Sequence, residues 1–164
     1  MVAWVDRSSA AGYVVPRIHL AARGYDPARM FRKELFVRSH AEVVHAVLDG
    51  RADLGATYGQ RPAAGEPVRR AAFLDVAPER HVRVLEWTRE IPNDVIAGHG
   101  LLGKPEHRTF ANAILTLAER GESGRRLLYN VFHAEQFVTP PRNVLVPVQE
   151  LVALAREHGL ISQL

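Results

Sequence analysis

Two serine-containing segments in the first half of the chain have the residue types and positions to bind an anion. Ser8 and Ser9 follow a short apolar run and precede a segment of helical spacing. Ser39 and His40 have the same position one predicted strand later. A helix that begins directly after a strand offers free backbone N–H groups and the positive end of its dipole. Each serine could instead serve only as a helix N-cap, which stabilises a fold by about 1 kcal/mol.

Further polar side chains follow the predicted strands. His40 could donate a hydrogen bond to an oxyanion, or it could only help to cap its own helix. Tyr58 ends the third predicted strand and could supply a hydroxyl or a ring wall. Asn93 and Asp94 follow the fourth predicted strand and could reach the same edge, although Asn-Asp after a proline also forms turns. We therefore include all four as candidate ligand-binding residues.

Alternating extended and helical patterns position these residues. Strands are predicted at residues 2–5, 34–38, 52–58 and 82–88. A helix after the first strand and another that opens at Ser39-x-x-Glu42 give the order strand, helix, strand, helix, strand. This order predicts parallel pairing with right-handed crossovers, and so an α/β fold. Ligands of such sheets bind at the carboxyl ends of the strands, where both serine segments lie.

The C-terminal part of the chain has a different pattern. The segment from Ile91 to Asp94 breaks the alternation, and helical spacing without strands follows at residues 104–120, 124–133 and 145–158. A length of 164 residues with 47% hydrophobic content fits one globular domain with a core. The sequence thus predicts a parallel-sheet α/β lobe over residues 1–92 and a helical segment over residues 93–164.

Composition and spacing argue against several function classes. The chain has no cysteine, and its net charge of +3 is scattered along the sequence, which is not the pattern of a nucleic-acid interface. His40 and His45 are five residues apart and lie on different helix faces, so we expect no metal site and no cofactor. No apolar run is long enough to cross a bilayer, and no export signal is recognisable.

An enzyme is the least favoured class. Ser9, His40 and Asp94 contain the residue types of a hydrolytic triad. The chain lacks the Gly-x-Ser-x-Gly turn and a glycine-rich oxyanion loop, which such hydrolases use to expose the nucleophile and to stabilise the intermediate. We therefore expect binding without catalysis.

Three ordered motifs carry a family resemblance over roughly the first hundred residues. Residues 5–17 read VDRSSAAGYVVPR, which resembles the VDPxSxSGYxxPR segment of the phosphate, phosphite and phosphonate ABC-transporter binding proteins. Residues 39–56 read SHAEVVHAVLDGRADLGA and are similar to that family's SHxxVvxAVxxGxaDxGA block. The segment Ile91 to Asp94 is similar to the family's element after the last strand of the second lobe.

The resemblance implies a type 2 periplasmic binding protein fold, in which two α/β lobes joined by hinge strands hold a ligand between them. Residues 1–92 would be the second lobe, and residues 93–164 would be the hinge return and the C-terminal helical segment. It implies a periplasmic or extracytoplasmic solute-binding component, which binds a small anion such as a phosphonate or phosphite and presents it to an ABC permease.

The resemblance also assigns residues. It implies that Ser9, His40 and Asp94 are ligand contacts and that the chain around Ala10 and Ala11 forms the anion cradle. The family's cradle usually carries further hydroxyls where this chain has the two alanines, so the ligand could be another anion or an amine-bearing compound.

Other interpretations remain open at this stage. The first lobe would be missing from this chain, through truncation or because another chain or a homodimer partner supplies it. The same fold also serves as a ligand-sensing domain in signalling and regulatory proteins. A fragment that folds but binds nothing is a third possibility.

Overall fold

The computed structural model describes residues 1–93, 95–101, 103–132 and 134–160. The chain forms two compact units. One contains Met1–Pro92 together with the chain from Val146 onward, and the other is Asn93–Leu145. No helix in the described ranges combines the length and the apolar character needed to span a membrane.

A three-stranded parallel sheet lies at the centre of the first unit. Its strands, in chain order, are β1 (Val2–Trp4), β2 (Glu34–Phe36) and β3 (Leu54–Gly55). The strand order is β2-β1-β3, and both pairings are parallel. The α/β class and the parallel pairing predicted from the sequence are therefore confirmed, although each strand is shorter than predicted.

The described residues contain six α-helices. They are α1 (Val15–Ala22), α2 (His40–Leu48), α3 (Ala72–Val76), α4 (Lys104–Leu115), α5 (Gly121–Phe132) and α6 (Val146–Glu157). A π-helical turn, Ala10–Val14, leads into α1, and a 3-10 turn, Leu117–Arg120, separates α4 from α5. Because the π-helical turn precedes α1, Pro16 falls at the start of that helix, where its missing N–H costs little.

The two faces of β1 pack against different elements. Ala3 and Val5 form a buried cluster with Val43 and Ala46 of α2. Trp4 points to the opposite face, as alternation along a strand requires, and its ring contacts Tyr13 edge to face at 5.5 Å between centroids. The sheet is therefore covered on both sides, as the near-complete burial of β1 requires.

The strand order creates a point where two connections diverge. The chain leaves β1 toward one edge strand, β2, and then crosses from β2 to the other edge strand, β3. With right-handed crossovers the two connecting helices lie on opposite faces of the sheet. In open α/β sheets of this kind, ligands bind outside the carboxyl ends of the strands. We call the end of the sheet where the three strands terminate the carboxyl edge.

The predicted fourth strand, residues 82–88, is wrong. Among the described residues this segment has no ladder partner, and the side chain of Leu85 is 66% exposed. Side chains hold it instead: Arg61 donates to the carbonyl oxygen of Trp87 at 3.0 Å, and Arg23 pairs with Glu86 at 3.3 Å. The valine-rich pattern favours an extended chain, but a strand also needs a neighbour to accept its hydrogen bonds.

Gly12 is required for close packing of the π-helical turn on β1. A Cβ at this position would lie 2.7 Å from Cβ of Val5 and 2.8 Å from Oγ of Ser9. We therefore expect Gly12→Ala to lower the free energy of unfolding by about 1–3 kcal/mol through overpacking. Gly100→Ala is the control, since no atom of the described residues beyond its two chain neighbours lies within 4 Å of its added Cβ. Urea unfolding of both variants measures this, and equal stability of the two would contradict the packing argument.

Candidate functional site at the carboxyl edge of the sheet

The turn after β1 is organised around the carboxylate of Asp6. Its Oδ1 accepts the backbone N–H of Ser8 at 2.8 Å, the hydroxyl of Ser8 at 2.6 Å and the backbone N–H of Ser9 at 2.9 Å. The hydrogen bond from the Ser8 side chain is the largest cause that holds the pKa of Asp6 below its usual value. The Ser8 donors are thus directed to Asp6.

Ser9 caps the helical segment that follows. Its Oγ accepts the backbone N–H of Gly12 at 3.1 Å, which leaves the hydroxyl hydrogen of Ser9 available as a donor. Ala10 and Ala11 occupy the first positions of the π-helical turn. Backbone N–H groups in a first helical turn have no acceptor within the helix, so these two are suited to hold an oxyanion.

The turn after β2 contains a strained residue that residue types and spacing did not predict. Arg38 has a φ of 71°, in the left-handed region that non-glycine residues seldom adopt. Its backbone N–H donates to the carbonyl oxygen of Val5 at 2.8 Å. This turn lets Ser39 become the N-cap of α2, where its Oγ accepts the backbone N–H of Glu42 at 3.1 Å, as the sequence predicted.

His40 lies between the ends of β2 and β3. Its Nδ1 is 2.9 Å from Oγ1 of Thr57, and its ring meets the ring of Tyr58 edge to face at 4.9 Å between centroids. Partial burial lowers the pKa of His40 below its usual value, and the negative charge of Asp6 opposes that shift. The imidazole is therefore mainly neutral at pH 7, with one ring nitrogen that carries a proton.

Tyr58 connects this edge to α3. Its hydroxyl donates to Oδ2 of Asp75 at 2.6 Å, although the side chain remains 42% exposed. Desolvation, followed by the hydrogen bond and negative charge of Asp75, raises the pKa of Tyr58 to about 12. Tyr58 is thus a neutral wall beside His40, and its hydroxyl hydrogen is used within the protein.

Two aromatic rings contact the guanidinium group of Arg7, next to the turn that contains Ser8 and Ser9. The guanidinium carbon of Arg7 lies 4.9 Å from the ring centroid of Phe36 and 6.0 Å from that of Tyr13. One of its nitrogens, Nη1, donates to the hydroxyl of Tyr13 at 3.4 Å. Arg7 could not be identified from the sequence, because Phe36 and Tyr13 are far from each other along the chain.

The predicted site residues fall into two groups. One group lies in the loop after β1 and contains Ser8, Ser9, Ala10 and Ala11. The other contains His40, which follows β2, and Tyr58, which follows β3, and the rings of these two residues are in contact. Asn93 begins the second compact unit, and Asp94 lies outside the described residues, so both remain predictions. Within the described ranges, no group of three or more metal-ligating side chains occurs.

A match to a known protein family covers the part of the chain that forms this edge. A family model described as the periplasmic substrate-binding protein of a phosphonate ABC transporter matches residues 1–142. No curated protein and no solved structure matches the chain. The matched range includes every candidate residue at the carboxyl edge.

The titration of His40 tests this geometry. Because burial favours the neutral ring in the folded state, the pKa of His40 in an NMR titration should lie below 6.5. Near and below pH 6.5, His40 then binds more protons in the unfolded chain than in the folded chain. This residue therefore makes the free energy of unfolding fall as the pH decreases through that value. His40→Gln should remove this part of the pH dependence. A pKa at or above 6.5 would show that His40 is not buried as described.

Proposed function

Because the chain belongs to the family of periplasmic substrate-binding proteins of phosphonate ABC transporters, we propose that it binds a small anion such as a phosphonate or phosphite at the carboxyl edge. Delivery to an ABC permease would follow from that role. The observation that carries the proposal is the convergence of two capped helix starts, at Ser9 and Ser39, on the ends of adjacent parallel strands. Helix starts of this kind attract anions through their N–H groups and dipoles.

The proposed donors come from both helix starts. The Ser9 hydroxyl and the backbone N–H groups of Ala10 and Ala11 supply one side. On the other side, a Thr57 hydroxyl that donates to Nδ1 of His40 leaves the ring proton on Nε2, which can then donate to an oxyanion. Hydrogen bonds to a charged ligand contribute about 1.5–3 kcal/mol each, so each of these donors should change the affinity about tenfold or more.

Two alanines in the proposed site affect which anion it prefers. Ala10 and Ala11 offer backbone N–H groups but no hydroxyls, so the site has fewer side-chain donors than a serine-rich cradle would have. Each missing hydrogen bond to a charged ligand weakens binding about tenfold or more. We therefore expect a smaller difference among phosphonate, phosphite and phosphate than a fully hydroxylated cradle would give.

The proposal extends to the organisation of the chain. Residues 1–92 would act as the second, ligand-binding lobe of a type 2 periplasmic binding protein, and residues 93–164 would be the hinge return and helical segment. Asn93 and Asp94 stay proposed ligand contacts in this scheme. The anion would be held between this lobe and a first lobe, and we expect it to leave chemically unchanged, because the family serves transport.

Calorimetric titration at low salt tests the proposed function. Methylphosphonate, phosphite, phosphate and sulfate should be added separately to the purified chain and to two histidine variants. We expect saturable heat with at least one phosphorus oxyanion, and a loss of affinity of about tenfold or more in His40→Ala, because a donor to the charged ligand is removed. His45→Ala is the matched control, since His45 is exposed on the same helix, α2.

Two results would count against the proposal. Absence of saturable heat with every anion would reject anion binding by this chain. Equal losses in His40→Ala and His45→Ala would reject the carboxyl edge as the binding site, even if the chain binds an anion.

A further inference from the structure

The side chain of Arg7 is held in place by aromatic rings rather than by an acid. Its guanidinium carbon lies 4.9 Å from the ring centroid of Phe36, and one nitrogen contacts the Tyr13 hydroxyl. Stacking on a ring uses the face of the guanidinium and leaves its in-plane N–H donors available. An exposed guanidinium that is already oriented loses less conformational entropy when it binds a ligand.

The rings that support Arg7 are themselves fixed. Tyr13 packs edge to face against Trp4, which is 1% exposed, and lies 5.6 Å from Phe36 between centroids. Phe36 ends β2 and pairs in register with Trp4 of β1. The platform under Arg7 thus belongs to the central part of the sheet, at the edge where Ser9 begins its helical segment.

Neighbouring arginines differ from Arg7 in ways that matter for binding. Arg17 also approaches the Tyr13 ring, at 5.0 Å, but it forms a mostly buried ion pair with Glu34 at 2.8 Å, so its charge is already neutralised. Arg38 is exposed just after β2, and its side chain has no ring or acidic partner among the described residues. Arg7 likewise has no acidic partner within 4.0 Å in the described part of the chain.

An anion that binds at the carboxyl edge needs a positively charged side chain nearby. Asp6 contributes a negative charge, because its hydrogen bonds with Ser8 hold its pKa low. His40 is mainly neutral at pH 7, because its partial burial lowers its pKa. Backbone N–H groups supply partial charges only. An incoming oxyanion would therefore meet a site without a full positive charge unless an arginine provides one.

We propose that Arg7 is the specificity-determining residue of the anion site and that its planar guanidinium binds two oxygens of a tetrahedral oxyanion. This inference rests on the proposed function and adds the source of the compensating charge. Two parallel N–H donors match two oxygens of a phosphonate, phosphite or sulfate group. The site should then discriminate by charge and oxygen geometry more than by the substituent on phosphorus.

The test compares four proteins: the unaltered chain, Arg7→Gln, Arg7→Lys and, as the control, Arg51→Gln. Arg51 is exposed, precedes the amino end of β3 and pairs with Glu42 and Asp49. Each is titrated calorimetrically with methylphosphonate at low and at high salt. We expect Arg7→Gln to bind about tenfold to a hundredfold more weakly, since it loses charge-assisted hydrogen bonds, and to show a flatter salt dependence. Arg7→Lys keeps the charge without the planar fork and should be intermediate, whereas Arg51→Gln should stay within about twofold.

A direct measurement keeps the inference testable if Arg7→Gln folds poorly. The side-chain Nε–H resonance of Arg7, assigned with Arg7→Lys, should shift when methylphosphonate is added and should saturate with the calorimetric affinity. A purely structural arginine would leave that resonance unmoved.

The outcomes separate this inference from the function on which it rests. Saturable binding in the unaltered chain with Arg7→Gln within twofold, or with an unmoved Arg7 resonance, would overturn the role of Arg7 and leave anion binding standing. Absence of binding in the unaltered chain would overturn both.

Discussion

The candidate site depends on the hydrogen bonds that the carboxylate of Asp6 accepts. It accepts three hydrogen bonds from Ser8 and Ser9, and these bonds turn the chain out of the central strand and into the helical segment. Without that turn, Ser9 could not cap the segment through Gly12, and the first N–H groups of the helix would not face the end of the sheet. The negative charge that builds the turn also has to be compensated when an anion binds beside it.

Parallel pairing then brings the other strand ends to the same place. β2 and β3 flank β1, so the turns after all three strands open at one edge. His40 follows β2 and reaches Thr57 after β3, which joins the two outer strand ends by a hydrogen bond across β1. The strained backbone of Arg38 belongs to this junction, and strain of this kind persists where surrounding contacts enforce it.

Much of this architecture could be predicted from local signals. The alternation of strand and helix predicts a parallel sheet, and Ser39 followed by Glu42 predicts the start of α2; both predictions are confirmed. The fourth strand was predicted from β-branched residues alone, and it fails because a strand also depends on a partner that local sequence does not specify. Contacts between distant residues, such as Arg7 on Phe36 or His40 with Thr57, depend on strand register, so composition and spacing could not predict them.

The proposed anion site lies where the three strands end. A two-dimensional NMR titration of the chain with methylphosphonate would locate the bound anion, because backbone amides report contacts residue by residue. We expect saturable shifts concentrated at residues 6–13, 38–41 and 57–58. Saturable shifts confined to other parts of the chain, or a spectrum that does not change, would contradict it.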